Sequence, residues 1–251
     1  MNCLLFQFGY SSDSRSRVLS KLSSAAPRSM VILPELWPLQ AFNLPSRDSI
    51  LDNQKEFQDL DESLFRNSIE KYVYVSAGSF PVFSNGQVFN ANILYDGVNR
   101  QRFVYKKRNL FRHELNVFNR GTNAYQVNLE EFRVSGLICY DLRFPEMFRS
   151  PDNIASDLFI VHAAWPLSRI KQWRSLLISR AIENQAFVIG CNGVGEQDGL
   201  SLGGNSLAIS PRGDIMCELG VEEGILDFEL FIQEVLDFRE EIPALQDFLN
   251  N

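Results

Sequence analysis

Short apolar runs, typical of buried strands, alternate with longer amphipathic segments along the chain. The clearest helix is predicted over Asn53–Lys71, where Phe57, Leu60, Leu64 and Ile69 recur near helical spacing. A second helix is predicted over Ser14–Ser24 and a third from Ser168 to about Gln185, and the segment after Asp227 is expected to be partly helical. The apolar stripe of the third helix is expected to consist largely of Ile170, Trp173, Leu177 and Ile182. The predicted strands are Met1–Phe8, Ser29–Pro34, Tyr72–Phe83, Gln87–Tyr95, Arg102–Leu110, Val134–Tyr140, Asp157–Ala164 and Phe187–Cys191, with a hairpin over Ser206–Glu218.

This interleaving of strands and helices favours a layered α/β fold. The β-rich stretch between residues 72 and 110 indicates more than one sheet. No internal repeat and no long Pro, Gly or Ser linker divides the chain, so we expect a single domain over residues 1–251.

Composition narrows the class of protein. The chain has 251 residues, 45% of them hydrophobic and 22% charged, which is ordinary for a globular protein. Its formal net charge of −7 argues against a nucleic-acid binder, which normally carries a basic surplus. The first residues lack the pattern of a signal peptide, and no window approaches the ~18 apolar residues of a membrane span. We therefore expect no membrane partner.

The four cysteines fall in apolar or strand-like contexts, without a CxxC pair or the spacing of a zinc site. That pattern is typical of free thiols in a reducing compartment, and it predicts a cytoplasmic protein. Cys139 is the candidate with chemistry near it, because it ends a predicted strand and precedes the polar sequence Tyr140-Asp141-Leu142-Arg143. A nucleophile at such a junction projects into solvent, and the next backbone N–H can stabilise an oxyanion. A buried core cysteine is the alternative interpretation.

A nucleophilic cysteine needs a base, because a free thiol is only a few per cent ionised at neutral pH. Only two histidines are present. His162 ends an apolar run and fits the core, and His113 lies in a charged loop where exposure is expected. Glu35 is the other candidate, since it closes the strand Val31-Ile32-Leu33-Pro34 beside Trp37 and apolar neighbours suit a carboxylate to proton transfer. The alternative interpretation of Glu35 is a solvated loop residue. Lys107, in the basic cluster Lys106-Lys107-Arg108, is a further candidate, and its alternative interpretation is a solvated lysine.

Three motifs in this order resemble the nitrilase, or carbon–nitrogen hydrolase, superfamily over nearly the whole chain. LPELW resembles its glutamate motif, YKKRNLF its lysine motif and GLICYDLRFPE its cysteine motif. The stretches RAIENQ and Gly203–Gly213 are also similar to the family. Within it, AWPLSRIKQW, RAIENQAFVIGCN and FREEIP most resemble the ω-amidases, which hydrolyse the terminal amide of 2-oxo acid amides such as 2-oxoglutaramate.

The resemblance implies a four-layer αββα sandwich (α/β in class), commonly paired into a dimer, and a reaction that needs no metal or organic cofactor. It assigns Cys139 as nucleophile, Glu35 as general base and Lys107 as the lysine of the catalytic triad. It suggests Glu114 as a supporting residue and Arg143 for a substrate carboxylate, although an arginine beside Asp141 and Glu146 is otherwise structural. The N–H of Tyr140 is the expected oxyanion donor, and Trp165 is expected either to line the pocket and contact the substrate or to pack the core.

Two positions depart from the family pattern. Asn109 stands where the lysine motif usually has His, and Ala164 stands where the subgroup often has Asn. Neither change removes a reacting atom, but both are expected to affect the pocket and the choice of substrate. The same triad would suit other small amides (deaminated glutathione, an aliphatic amide or an N-carbamoyl compound), and a silent binding protein on this fold is the alternative of another class.

Overall fold

The computed structural model of the protein describes residues 1–11, 13–123, 125–149 and 155–250. Its strands, in chain order, are β1 (Asn2–Gln7), β2 (Met30–Ile32), β3 (Tyr74–Ser76), β4 (Phe80–Ser84), β5 (Gln87–Asp96), β6 (Gln101–Lys106), β7 (Val127–Leu129), β8 (Phe132–Ile138), β9 (Leu158–Ala163), β10 (Phe187–Asn192), β11 (Val194–Gln197), β12 (Leu200–Gly203), β13 (Leu207–Ile209), β14 (Ile215–Glu218) and β15 (Gly224–Glu229). Its helices are α1 (Ser14–Ser23), α2 (Arg47–Asp52), α3 (Gln54–Lys71), α4 (Ile170–Asn184), α5 (Ile232–Glu241) and α6 (Ala244–Leu249).

Most of the strands belong to two mixed sheets. The first has the order β15-β1-β2-β3-β5-β4, with β6 also paired to β5, and the second has the order β14-β13-β10-β9-β8-β7. The central strands are parallel in both: β1, β2 and β3 in the first, and β8, β9 and β10 in the second. Parallel strands are usually covered on both faces. Each sheet therefore needs one face against its partner and one against helices.

Alternate residues of these strands meet that requirement. Leu5 and Ile32 of the first sheet pack against Ile160 and Ile189 of the second, in a core between the two sheets. The intervening residues point away from the other sheet. In the first sheet, Val31 packs in a cluster with α1 and α3, and the outward-facing residues of the second sheet pack in a cluster with α4. The period of two is what a strand buried on both faces requires. The result is the αββα sandwich predicted from the sequence, and that prediction is confirmed by its solved neighbours below.

Two predicted segments differ from the structure. The single strand predicted over Tyr72–Phe83 is two strands, β3 and β4, because Gly78 turns the chain at φ +67°. A Cβ at Gly78 would lie 1.9 Å from the carbonyl oxygen of Pro34, so only glycine allows this approach. In α4, Ile182 was expected on the apolar stripe but is 49% exposed, whereas Arg180 beside it is buried. The guanidinium of Arg180 donates to the carbonyl of Leu142, which explains its inward direction.

Two predicted strands end earlier than expected, and both ends matter for the site. The strand predicted over Arg102–Leu110 ends at Lys106, and the one predicted over Val134–Tyr140 ends at Ile138. Lys107 and Cys139 are therefore each the first residue after a strand. Within the described ranges, no helix is long and apolar enough to cross a membrane.

Candidate active site

The candidate site lies where several strands end at the junction between the sheets. Glu35 follows β2, Lys107 follows β6 and Cys139 follows β8, while Trp165 comes just after β9. Open α/β sheets bind their ligands outside the carboxyl ends of the parallel strands. The chain thus delivers side chains from distant parts of the sequence to one edge.

A buried charge cluster forms the floor of the site. The Nζ atom of Lys107 donates to Glu35 Oε1 at 2.7 Å and to Glu114 Oε2 at 2.7 Å. The three residues are at most 3% exposed, so these are paired buried charges and not the solvated residues that composition alone would suggest. Burial alone lowers the pKa of Lys107, but Glu114 and Glu35 outweigh it and raise the pKa well above its ordinary value. Lys107 is therefore an ammonium held beside two carboxylates.

Asn90 on β5 joins the two carboxylates, and the sequence analysis missed it. Its Nδ2 atom donates to Glu114 Oε1 at 2.7 Å and to Glu35 Oε1 at 3.1 Å. The backbone N–H of Lys107 in turn donates to the carbonyl of Asn90. A signal was present, because two asparagines, Asn90 and Asn92, interrupt the otherwise apolar run Val88–Leu94. A buried amide in a strand needs partners, and here they are the two carboxylates.

The backbone at Cys139 has an unusual conformation. Its φ of +48° lies in the left-handed region, which residues other than glycine rarely occupy. At this point β8 turns into the 3-10 turn Cys139–Arg143. Strained backbone of this kind is common at functional sites because the surrounding structure must hold it. Cys139 itself is half-buried, with its side chain in the pocket wall.

The electrostatic surroundings keep the Cys139 thiol protonated. Burial and the neighbouring Glu35 carboxylate raise the pKa of Cys139 well above its ordinary value. Lys107 and the backbone N–H of Ala164 act in the opposite direction without reversing the shift. A thiol in this state is a poor nucleophile until a base removes its proton. Glu35, which lines the same pocket, is the neighbouring group that can act as this base.

The backbone of Glu35 is fixed from several sides. The Tyr10 hydroxyl donates to the Glu35 carbonyl at 2.6 Å, and the Glu35 N–H donates to the carbonyl of Ala163 at 3.4 Å. The next residue, Leu36, has φ +47° and donates its N–H to the Ser79 hydroxyl. These contacts fix the backbone that carries the Glu35 carboxylate.

Asp141 connects the lysine segment to the cysteine turn. It is fully buried and accepts from the Tyr105 hydroxyl at 2.7 Å and from the Ile138 N–H at 3.1 Å. Asn109 donates to it twice at 3.0 Å, from its backbone N–H and its side-chain amide. Asn109 is the position where the family pattern usually has His, and here its neutral amide is a donor to Asp141. The side-chain amide of Asn109 thereby links the segment after Lys107 to the turn that begins at Cys139.

All seven side chains proposed from the sequence line one pocket. The lining also includes aromatic and cationic residues that the sequence did not single out. Among the described residues, the lining is Glu35, Leu36, Ala41, Phe42, Lys107, Phe111, His113, Glu114, Cys139, Tyr140, Arg143, Ala164, Trp165, Pro166 and Arg169. The space open to the centre of a water molecule is about 40 Å³, enough for several waters.

The pocket wall contains stacked rings and a guanidinium. The guanidinium carbon of Arg143 lies 4.6 Å from the centre of the Trp165 ring, and Arg143 donates to Gln172 at 2.7 Å. Tyr140 packs edge-on against Phe111, with ring centres 5.1 Å apart. The small side chain of Ala164, the second departure from the family pattern, also lies in this wall.

The two histidines have different positions. His162 is fully buried in β9, as the sequence predicted, with its ring nitrogens 2.8 Å from the Ser76 hydroxyl and 2.7 Å from the Leu33 carbonyl. Burial lowers the pKa of His162 to about 4, so the ring is neutral. His113 is half-buried between the rings of Phe42 and Phe111, and not in an exposed loop as expected. In the described part of the chain, no group of three or more His, Cys, Asp or Glu side chains is arranged to hold a metal.

Comparison with known proteins agrees with this geometry. The carbon–nitrogen hydrolase family model matches residues 16–239. The chain belongs to the carbon–nitrogen hydrolase family. The class of enzyme predicted from the motifs, a hydrolase of carbon–nitrogen bonds, is thereby confirmed.

Two relatives and one solved structure of the carbon–nitrogen hydrolases illustrate the likeness. The chain is 33% identical to the 2-oxoglutaramate amidase of Bacillus subtilis, over 98% of this chain and 96% of the relative. It is 32% identical to the ω-amidase YafV of Escherichia coli K12, over 90% of this chain and 87% of the relative. Its fold matches XC1258 of Xanthomonas campestris, a member of the superfamily, with a TM-score of 0.82 and 24% identity, over 98% of this chain and 96% of that one.

Proposed function

We propose that this protein is an ω-amidase that hydrolyses the terminal carboxamide of a small 2-oxo acid amide, such as 2-oxoglutaramate, to the acid and ammonia. The full-length likeness to a 2-oxoglutaramate amidase and to an ω-amidase supports the substrate. The observation that carries the chemistry is the contact of the Cys139 thiol with Glu35, which Lys107 binds from the other side.

The first half of the reaction forms a thioester. Glu35 takes the thiol proton as the sulfur of Cys139 attacks the amide carbon, so that a carbon–sulfur bond forms and the amide oxygen gains negative charge. The ammonium of Lys107 and the backbone N–H of Tyr140 are the donors for that oxygen, in a site where burial strengthens electrostatic stabilisation. Glu35 then returns the proton to the leaving nitrogen, the carbon–nitrogen bond breaks and ammonia departs.

The second half releases the acid. Glu35 accepts a proton from a water molecule as that water attacks the thioester carbon, and the carbon–sulfur bond breaks with the proton returning to the sulfur. Lys107 carries its positive charge throughout, because Glu114 and Glu35 raise its pKa. Glu114 keeps Lys107 charged even when Glu35 is protonated, which is a reason for a second carboxylate in the cluster.

The far end of the substrate meets Arg143 in this proposal. A 2-oxo acid amide carries a carboxylate at the end opposite its amide, and guanidinium groups bind carboxylates with two parallel hydrogen bonds. Arg143 lies over Trp165 in the pocket wall, on the cysteine turn that also bears the nucleophile. A small substrate can therefore reach Cys139 with one end and Arg143 with the other.

We further propose that the enzyme works as a cytoplasmic homodimer or higher homo-oligomer. The cysteines Cys3, Cys139, Cys191 and Cys217 are all free thiols, as a reducing compartment favours. The oligomer is proposed because the resemblance is to a family whose members commonly pair into dimers. Light scattering on the purified protein measures the oligomer directly, and a monomer at micromolar concentration would contradict this part.

Ammonia release from a panel of amides tests the proposed activity. We expect 2-oxoglutaramate to be turned over much faster than glutamine or a simple aliphatic amide, and Cys139→Ala to release no ammonia from any of them. A preference for an N-carbamoyl compound or a peptide-like amide would assign the same chemistry to another substrate. Absence of turnover on every amide would favour the silent binding protein.

A further inference from the structure

A second arginine, Arg169, reaches the pocket beside Arg143. We propose that these two side chains form a guanidinium pair that selects a 2-oxo acid over the corresponding 2-amino acid, with Arg169 as a specificity-determining residue. This inference rests on the proposed function and deepens it, because it concerns the group that distinguishes 2-oxoglutaramate from glutamine.

Arg169 is placed by the end of a short turn and by an aromatic ring. It closes the 3-10 turn Leu167–Arg169 and directly precedes α4. Its guanidinium carbon lies 5.6 Å from the centre of the Phe111 ring, and Phe111 packs against Tyr140, the residue after the nucleophile. Arg169 is thus a pocket residue although its side chain is largely exposed.

The two arginines rest on different aromatic supports. Arg143 lies over the Trp165 ring. The side chain of Asn192 binds both the backbone N–H and the backbone carbonyl of Trp165. Arg169 lies over Phe111. An aromatic face holds a guanidinium in place while leaving its N–H groups free to bind an anion. Two guanidiniums held in this way offer donors from two directions at one pocket.

Neither positive charge is neutralised by the protein itself. Among the described residues, no carboxylate forms an ion pair with Arg143 or Arg169, whereas Arg174 on the same helix as Gln172 is paired with Glu218. The carboxylates in the described lining are Glu35 and Glu114, and both bind Lys107. Unpaired guanidiniums at a pocket are what recognition of an anion requires.

2-Oxoglutaramate and glutamine differ in the group on carbon 2, which is an oxo group in the first and an ammonium group in the second. The 2-oxo group and the neighbouring carboxylate of a 2-oxo acid present only hydrogen-bond acceptors, which match guanidinium donors. The 2-ammonium group of an amino acid presents only donors and a positive charge, so it would meet two cations and find no free carboxylate in the described lining. Repulsion between like charges is a common source of such selectivity.

Steady-state kinetics on matched variants test the pair. We expect Arg169→Gln to lower kcat/KM for 2-oxoglutaramate about tenfold, as loss of a charge-assisted contact would, and to leave a neutral aliphatic amide within about twofold. The same variant should narrow the preference for 2-oxoglutaramate over glutamine. Lys171→Gln is the control, because Lys171 is an exposed cation two residues away that does not line the pocket. An equal loss for all substrates, or an equal loss in the control, would overturn the proposal.

A binding measurement separates this inference from the activity. The rate at which iodoacetamide alkylates Cys139 is measured with and without 2-oxoglutarate, which has the same 2-oxo carboxylate but no amide. Protection in the wild type that weakens about tenfold in Arg169→Gln supports the guanidinium pair, even if no ammonia is released from 2-oxoglutaramate and the proposed function fails. Absence of protection in the wild type, or unchanged protection in Arg169→Gln, overturns the pair even if the enzyme is an ω-amidase.

Discussion

Cys139 and Cys191 belong to the same sheet but to different environments. Cys139 follows β8 and opens onto the pocket, where the Glu35 carboxylate also lies. Cys191 lies within β10, fully buried between the sheets, with its sulfur 3.5 Å from the Phe6 carbonyl and 3.8 Å from the Ile32 carbonyl. One thiol faces a carboxylate and a cavity, and the other faces backbone carbonyls that need a donor.

This difference shows what makes a cysteine a candidate nucleophile here. Burial raises the pKa of both Cys139 and Cys191 well above the ordinary value, so neither is a stable thiolate at neutral pH. What distinguishes Cys139 is a base in contact, an ammonium nearby and room for a substrate. The comparison predicts that chemistry and stability divide between the two cysteines.

Substitution of each cysteine by alanine gives the largest contrast. Cys139→Ala should lower kcat by at least about a thousandfold because no other group can form the thioester, while the fold is retained. Cys191→Ala should retain kcat and lower the free energy of unfolding by about 1 kcal/mol, since it removes a buried packing group. Ammonia release and urea denaturation measure the two effects. Substantial turnover by Cys139→Ala would refute the assignment.

Removal of the lysine charge should have the next largest effect. Lys107→Ala is expected to lower kcat about 10²- to 10³-fold, as loss of one oxyanion donor does. The matched control is Lys106→Ala, because the ammonium of Lys106 lies 4.1 Å from the Phe89 ring centre and outside the pocket lining. Circular dichroism and Lys107→Arg, which keeps the charge between the carboxylates, separate catalysis from folding. A loss confined to Lys106→Ala would show that the wrong lysine was chosen.

Low pH should destabilise the buried region around Cys191 through His162, which pairs with Cys191 from the neighbouring strand β9. Since the Leu33 carbonyl can only accept, Nδ1 of His162 carries the proton and Nε2 accepts from Ser76. Burial lowers the pKa of His162 to about 4, so below its unfolded value near 6.5 the unfolded chain binds the extra proton. Stability present above pH 6.5 should fall by up to about 3 kcal/mol as the pH drops to about 4.

Urea denaturation of the wild type and His162→Asn at several pH values measures this contribution. The variant keeps a neutral amide donor for the Leu33 carbonyl, so its stability should depend less steeply on pH in that window. Alkylation of Cys191 in the wild type should become detectable only as the junction between the sheets weakens. Equal pH dependence of the two proteins would remove His162 from the account.

The smallest expected effect concerns Tyr10, which lies close to both cysteines and donates to the Glu35 carbonyl. Tyr10→Phe removes that hydrogen bond, worth about 0.5–1.5 kcal/mol, and keeps the ring. We expect kcat to fall about threefold to tenfold with little change in KM, because the base loses part of its support. An unchanged kcat would mean that Ala163 and Ser79 hold Glu35 sufficiently.

The three motifs around Glu35, Lys107 and Cys139 could be recognised from the sequence, but the predicted strands before Lys107 and Cys139 were too long. Each motif is a local run of residues that is visible in a single chain, whereas the end of a strand depends on contacts made in the folded chain. The αββα layers were predicted from the resemblance of these motifs to the carbon–nitrogen hydrolase family. Exposed positions such as Ile182 were less predictable because the packing partner of α4 decides them.

Contacts between distant segments were not predictable from local pattern. Asn90 looked like one polar residue in a strand, and only the fold brings its amide to Glu35 and Glu114. Strand β15 was missed for the same reason, since it is completed by pairing with β1 at the other end of the chain. Arg169 was part of a family-like stretch, but its place at the pocket depends on the turn before α4.

The central claim is that the thiol of Cys139, and not that of Cys191, carries the acyl group of the substrate. Acid quenching during turnover of 2-oxoglutaramate, followed by peptide mass spectrometry, tests it most directly. The account predicts a thioester on the peptide that contains Cys139, with the mass of the substrate less ammonia, and no adduct on the peptide that contains Cys191. An adduct on another cysteine, or rapid turnover with no adduct at Cys139 at any quench time, would contradict it.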